Sequence, residues 1–538
     1  MDNVTYRDPQ VVRLVNASYI AVYADEDANP ELANRYGDWG WPATIVFASD
    51  GSEIVKRQGF IPPAQMASML AAVIADPSPG PSVTAPLRPS LPASFALSQK
   101  LRAMLLSRRA EIYDAQYGGW GEIHKFIDPE DLEYAMSRAA QGDAAEEARA
   151  RLTLDNALRL LDPVWGGFYQ YAVSRDWRSA HYEKIIQVQA DAIRVYALGG
   201  RLWSDRPAYL EAARKTAQYL KHFLTSPQGA FYTSQDADVN ERLLGAQFYA
   251  LDDAGRRAQS VAPSVDRHCY AAANGWAIRA LAALYDATGE QTYLDQAERA
   301  ARWVVANRAI AAGGFRHSGS DLGGPFLEDT LGMGRAFLSL YASTGGREWL
   351  ARARMAARFI EHNFAVPNAA GFATTSVRGA QPHDPLSFAP YIDVNENIEL
   401  ARFANLLAHY TGDPRDRALA ERAMRYAGAP QIIASRYFLT GLLLADNELA
   451  SKPVHITVVG AKDDPQALRL FRAALSYPAI YKQTEWWDRR EGPLPGPQVR
   501  YPKTNRPAAF LVARKTYSLP VYDPQNLSAA VEAKQNRD

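Results

Sequence analysis

The sequence predicts a mainly α protein built on a closed (α/α)6 toroid, with a small α/β unit before it and a small α/β segment after it. Three observations carry this. One template recurs through the middle of the chain: Leu210, Ala213 and Ala217, then Leu294, Ala297 and Ala301, then Leu350, Ala353 and Ala357, with a looser copy at Ala420 and Ala423. Spacings of three and four place these residues on one helical face. A Thr-Gly pair precedes three of the copies, at Thr288-Gly289, Thr344-Gly345 and Thr411-Gly412, and such a glycine ends a helix in the left-handed conformation. Gly-aromatic turns then interleave with the helices: Gly118-Gly119-Trp120, Gly166-Gly167-Phe168, Gly229-Ala230-Phe231, Gly313-Gly314-Phe315 and Gly371-Phe372.

Residues 1–76 read as the first α/β unit. Ser18–Tyr23, Ala43–Phe47 and Glu53–Arg57 are strand-like, and Ser49-Asp50-Gly51 joins the last two as a hairpin. Trp41-Pro42 precedes a strand, where a cis proline is plausible. Pro62-Pro63 starts a helix to about Ala75. Residues 77–95 form a linker, with six prolines between 77 and 92. Residues 96–450 hold about 12 helical patterns. A nearly all-apolar helix, such as Trp276–Tyr285, alternates with an amphipathic one. An open solenoid keeps a period near roughly 34–47 residues. Here the period varies and the long loops share one end, so a closed ring is expected, with the Gly-aromatic loops at its mouth. Residues 451–538 turn α/β again: a strand at Pro453–Gly460, a helix at Asp464–Ser476, a loop over 485–506 and a strand at Ala508–Ala513.

The candidate chemistry gathers at that mouth. The stretch from Trp165 to Trp177 leads into His181, Glu183 and Lys184. Asp236 and Asp238 follow the turn at Phe231. Glu328 and Asp329, after Gly323-Gly324-Pro325, open one inner helix, and Asp393 and Glu396 open another. A single carboxylate at a helix start is explained by capping. Convergence on one cavity is what points to a site. His181, Glu183, Asp236 and Asp238 are the expected acid–base groups. Trp120, Trp165, Phe168 and Trp177 are expected to stack on a sugar ring, with Lys184, Glu328, Asp329 and Glu396 holding its hydroxyls. A His next to a Glu also suits proton transfer in an epimerisation or isomerisation.

Composition excludes several classes. With 59 basic and 59 acidic residues, nothing favours nucleic acid or an anionic membrane. No apolar run spans a bilayer, and the first residues lack a signal-peptide pattern, so a cytoplasmic location is expected. Cys269 is the only cysteine, which leaves no disulfide, redox pair or cysteine zinc site within the sequence; no metal or cofactor is expected. The oligomeric state is left open.

Several motifs resemble a family that joins a thioredoxin-like domain to a six-hairpin, glycosidase-like toroid and includes the spermatogenesis-associated thioredoxin-domain proteins. They are Ala180-His181-Tyr182-Glu183-Lys184, Asp236-Ala237-Asp238, Ala273-Asn274-Gly275, Phe326-Leu327-Glu328-Asp329-Thr330, Gly40-Trp41-Pro42 and Leu519-Pro520-Val521-Tyr522-Asp523-Pro524. The resemblance implies that residues 1–76 are an incomplete thioredoxin-like domain, and it adds Asn274 to the ligand contacts. The family's Cys-His-Trp-Cys-His segment has no counterpart here. Its later segment aligns with Met1–Pro9, as expected of a chain truncated or started late relative to the family. Ile185–Ala190 replaces a stretch that carries an Asp in the family, and Ala273 replaces a Trp. The toroid implies kinship with sugar epimerases and six-hairpin glycosidases. The expected function is therefore carbohydrate binding or processing, with a sugar-like ligand. A non-enzymatic binding or regulatory protein is the alternative, as is a thiol-redox or folding factor should upstream cysteines exist.

Overall fold

The computed structural model describes residues 1, 3–84, 87, 89–121, 123–319, 324–367, 369–377, 390–496, 499–513 and 516–535. Three helices, α1 (Pro9–Ser18), α2 (Pro30–Tyr36) and α3 (Pro63–Ala75), accompany a two-stranded antiparallel hairpin, β1 (Ala43–Phe47) and β2 (Glu53–Gln58). Asp8 caps α1 by accepting from the Gln10 amide at 2.8 Å. Val11 of α1 meets Met66, Ala67 and Leu70 of α3, while Val46, Ile54 and Val55 of the hairpin meet Val73. The Trp41–Pro42 bond is cis. The strand expected at Ser18–Tyr23 does not form. Ser18 ends α1, and Ile20, Val22 and Tyr23 are exposed on extended chain. A strand exists by pairing, and β1 pairs only with β2 among the described residues.

The middle of the chain is a closed ring of helical hairpins. Five are consecutive: α5 (Pro129–Ala139) with α6 (Ala144–Ala157), α7 (Ile186–Leu202) with α8 (Pro207–Phe223), α11 (Ala271–Thr288) with α12 (Gln291–Arg308), α13 (Leu327–Thr344) with α14 (Arg347–Asn363), and α15 (Val394–Thr411) with α16 (Pro414–Ala427). The sixth joins the ends: α4 (Gln99–Glu111) packs outside α18 (Thr440–Ala450). The inner helices contact one another in the order α5, α7, α11, α13, α15, α18 and back to α5. The Leu/Ala template marks outer helices, whose apolar stripes are buried against the inner ring. Short α9 (Gly245–Tyr249) and α10 (Asp253–Arg257) fill the connection from α8 to α11, and α17 (Pro430–Ser435) fills the one from α16 to α18.

Two repeated devices shape the ring. At its lower end, Gly289, Gly345 and Gly412 end α11, α13 and α15 with φ of 69°, 66° and 66°. The threonine before each glycine accepts the backbone amide two residues on, at 2.9–3.2 Å. At the upper end, the Gly-aromatic turns press against the outer helix of the next hairpin: a Cβ on Gly166 would lie 2.4 Å from the Lys215 carbonyl on α8. The aromatic that follows is buried, and in four of the five turns its amide donates to a side chain at the fourth position of the next inner helix. Phe168 donates to Gln189 at 2.6 Å, Phe231 to Asn274 at 2.8 Å, Phe315 to Thr330 at 3.2 Å and Phe372 to Asn397 at 2.9 Å. The three amide side chains donate back to the same residue's carbonyl.

Small sheets line the mouth: β3 (Tyr171–Ala172) pairs with β4 (Ala180–His181), and β6 (Ser234–Gln235) lies between β5 (Lys184–Ile185) and β7 (Val265–Asp266). The C-terminal segment closes the opposite end. Its four-stranded sheet runs β11 (Thr516–Tyr517), β10 (Ala508–Ala513), β8 (Val454–Val459), β9 (Lys482–Trp487), with α19 (Pro465–Ser476) crossing between the parallel β8 and β9. A last helix, α20 (Leu527–Gln535), packs on β10. Strand β9 begins before and runs into the stretch expected to be loop. Its polar Lys482, Gln483, Thr484 and Glu485 carry no strand signature, yet Lys482 and Thr484 line the cavity above the toroid floor and Glu485 meets His455 on β8. There Lys482 donates to the Ala474 carbonyl at 3.0 Å and Gln483 to the His409 carbonyl at 3.1 Å.

Candidate functional site

The structure brings part of the expected constellation together at the mouth. Strand pairing sets Lys184 opposite Gln235, so Glu183 and Asp236 flank the end of one ladder. His181 stacks on Tyr171 with ring centroids 4.9 Å apart, and its Nε2 lies 3.4 Å from Glu183 Oε2. Asp236 and Asp238 are exposed. Asp236 accepts from Ser264 Oγ at 3.3 Å, and Asp238 accepts from the Gly245 amide at 2.6 Å.

Other expected contacts lie inside the protein instead. Trp120, Phe168 and Trp177 are buried in the core rather than lining a sugar-binding wall. The Trp177 indole donates to the Tyr117 carbonyl at 2.9 Å, and Phe168 stacks on Tyr196. Trp165 is half-buried, stacked on Phe223 under the Arg256 guanidinium. Lys184 is fully buried and bonded to Asp162 at 2.8 Å, and Asp162 is also held by Arg256. Burial pushes Lys184 down to about 8. This charge cluster pins α10 to the turn before α7. Asn274 is the clamp on Phe231. Asp329 accepts the Ala272 amide at 2.9 Å and holds His317 Nδ1 at 3.1 Å. Of the turn expected before Glu328, Gly323 lies outside the described residues.

A second constellation lies on the axis, and the sequence reading passed over it. The ninth residue of four successive inner helices is an arginine: Arg194 on α7, Arg279 on α11, Arg335 on α13 and Arg402 on α15. The ninth residue of α18 is Glu448. Arg194 pairs with Glu133 and Asp191, Arg335 with Glu399, and Arg402 with Glu448 at 2.8 Å and Glu133 at 3.0 Å. Below this ring a cavity of about 210 Å³ extends to Tyr481 and Lys482 on the floor. The signal was present as single arginines within otherwise apolar helices, legible only once the helix starts are aligned.

Above the ring, carboxylates crowd the N-terminal ends of the inner helices. Burial, with Asp329, Glu399 and Asp393 nearby, pushes Glu328 up to about 8. Burial does the same to Asp191 and to Glu130, helped at Glu130 by Asp128, each reaching about 7. Glu396 is raised by burial and by Asp393, and it accepts from Thr374 Oγ1 at 3.1 Å. Burial would raise Glu399 as well, but Arg335 and Arg279 outweigh it and hold it below the ordinary range. A carboxyl held protonated and one held ionised thus lie within electrostatic reach of each other at neutral pH.

The N-terminal segment overhangs this mouth. His317 Nε2 bonds the Asp27 carbonyl at 2.6 Å, Asn34 donates to Glu396 at 3.3 Å, and Arg436 pairs with Asp38. Among the described residues, no group of three or more potential ligands could hold a metal ion, and no helix is long and apolar enough to cross a membrane.

No family model matches the chain. Spermatogenesis-associated protein 20 of Mus musculus is 25% identical over 276 residues, covering 44% of this chain and 34% of that protein. Its Homo sapiens counterpart is 32% identical over 135 residues, covering 24% of this chain and 17% of that protein. The chain is thus similar to spermatogenesis-associated protein 20 over part of its length. It spans about a third of the length of the mouse protein. Among solved structures, a cellobiose 2-epimerase from Bacillus thermoamylovorans is similar over 61% of this chain and 86% of its own, at 13% identity and a TM-score of 0.48.

Proposed function

We propose that the toroid binds a small sugar-like ligand at its axis and processes it by proton transfer. The observation that carries this reading is the pair Glu328 and Glu399, two carboxyls near the starts of neighbouring inner helices with proton affinities pushed apart. Such a pair supplies an acid and a base at the same pH. The cavity of about 210 Å³ lies on the other side of the arginine ring from this pair, and in this proposal it receives the far end of the ligand. His181, Glu183, Asp236 and Asp238 stand in this proposal as rim groups that meet the ligand on entry.

A thermal-shift screen of a sugar library tests binding, since a ligand at 100 times its dissociation constant stabilises by roughly 2.7 kcal/mol. Turnover of the best binder is then followed by NMR. Glu399→Gln is expected to lower kcat by about 10²-fold or more with the melting temperature of the liganded form retained. Activity should also fall as pH rises through about 8, where Glu328 loses its proton. Full activity of Glu399→Gln, together with loss in Glu183→Gln, would move the chemistry from the axis to the rim.

The overhanging N-terminal segment favours a second reading, a non-enzymatic binding protein whose mouth is filled by its own chain. In that case no sugar shifts the melting temperature until the Asp27 and Asp38 contacts are removed.

A further inference from the structure

The arginine ring is not evenly balanced. On α7 and α15 a carboxylate precedes the arginine by three residues: Asp191 before Arg194, Glu399 before Arg402. That spacing stacks the two side chains on one face. On α13 the position is Gly332, and Arg335 takes Glu399 from the neighbouring helix. On α11 the position is Trp276. Arg279 makes no hydrogen bond or ion pair among the described residues, although its side chain lines the cavity. Six cationic side chains line that cavity against three carboxylates, Glu133, Asp286 and Glu448. Adding Asp191 and Glu399, one turn nearer the mouth, still leaves a cation over. On the floor, Arg201 Nε is buried with no acceptor.

A guanidinium that opens onto an interior cavity without a protein partner is electrostatically costly. Burial, and then the charge of Arg335, draw Arg279 down to about 9, and burial and Arg279 also lower Arg194. The planar fork of an arginine matches a carboxylate or a phosphate in bidentate fashion. Trp276 lies one turn closer to the mouth on the same helical face, where its ring can cover the apolar side of a sugar. We propose that the ligand held at the toroid axis is an anionic sugar derivative, whose carboxylate or phosphate pairs with Arg279 inside the arginine ring. This rests on the sugar-like ligand proposed above and names its chemical class.

Isothermal titration calorimetry of the full chain tests it, using uronic acids and sugar phosphates, each beside its neutral parent sugar, and inorganic phosphate alone. The expected result is a dissociation constant at least tenfold lower for one anionic class than for the neutral parents. Preference for uronates assigns a carboxylate, and preference for sugar phosphates a phosphate. Arg279→Gln should abolish the preference, while Arg279→Lys keeps part of it. Because Arg279 has no protein partner to lose, ligand-free Arg279→Gln should melt at or above the wild-type temperature. Arg335→Gln, which strands Glu399, should melt below it. Equal affinity for neutral and anionic members, a preference that survives Arg279→Gln, or inorganic phosphate binding as tightly as any sugar phosphate overturns the anionic assignment. Binding of neutral sugars in those cases leaves the sugar-like reading standing, whereas no binding by any sugar overturns both.

Discussion

Asn274 hydrogen-bonds both backbone groups of Phe231, and Asn397 treats Phe372 in the same way. Resemblance marks Asn274 as a ligand contact, but its recurrence at the fourth position of neighbouring inner helices identifies a clamp between a turn and a helix start. Asn274→Ala leaves buried backbone groups unpaired and should cost roughly 1–3 kcal/mol in urea denaturation. A loss below about 0.5 kcal/mol, accompanied by lost ligand binding, would return Asn274 to the ligand site. The same scale shows what stayed hidden in the sequence. Arg279 sits in the run Trp276–Tyr285, where periodicity separates apolar from polar residues. It cannot separate an arginine facing the axis from one facing water. His181 and Glu183 were legible because a polar, aromatic-rich loop between helices stands out, whereas charges on apolar helices do not.

At the scale of elements, the Leu/Ala template located α8, α12, α14 and α16, because a stripe packed on one neighbour leaves a strong 3.6-residue period. The Thr-Gly pairs located the ends of α11, α13 and α15 for an equally local reason. They also permit a comparison. An added Cβ on Gly289 meets nothing closer than Arg472 Cδ at 3.9 Å, whereas on Gly345 it would lie 2.9 Å from Trp486 Cβ on β9. Gly289→Ala therefore reports backbone strain alone, about 1–2 kcal/mol. Gly345→Ala should be more destabilising, because the toroid must also shift against its floor. Equal losses in thermal unfolding would mean that β9 yields freely. Elements whose existence depends on distant partners were misread in both directions. Ser18–Tyr23 has strand composition but no pairing partner among the described residues, and Glu485–Trp487, expected to be loop, end strand β9.

At the scale of the whole molecule, closure of the ring is carried by a few contacts between its first and last helices. Asp446 of α18 accepts the Leu97 amide at 3.0 Å and Arg102 Nε at 2.9 Å, and Glu130 accepts the Gly441 amide at 2.9 Å. Asp446→Ala should cost roughly 1–3 kcal/mol. Hydrogen-exchange protection should fall in α4 and α18 before it falls in α11 or α13, and uniform loss around the ring would contradict this account of closure. The sixth hairpin also sets an order of events at the ribosome. α4 is made first among the toroid helices, but its partner α18 emerges more than three hundred residues later. The growing chain therefore carries an open five-hairpin arc with an unpartnered helix waiting at its start, and Leu97 and Leu105 stay uncovered until nearly the whole toroid has been synthesised. A circular permutant that begins at α5 and places α4 after α18 would make every hairpin local in sequence and remove that wait.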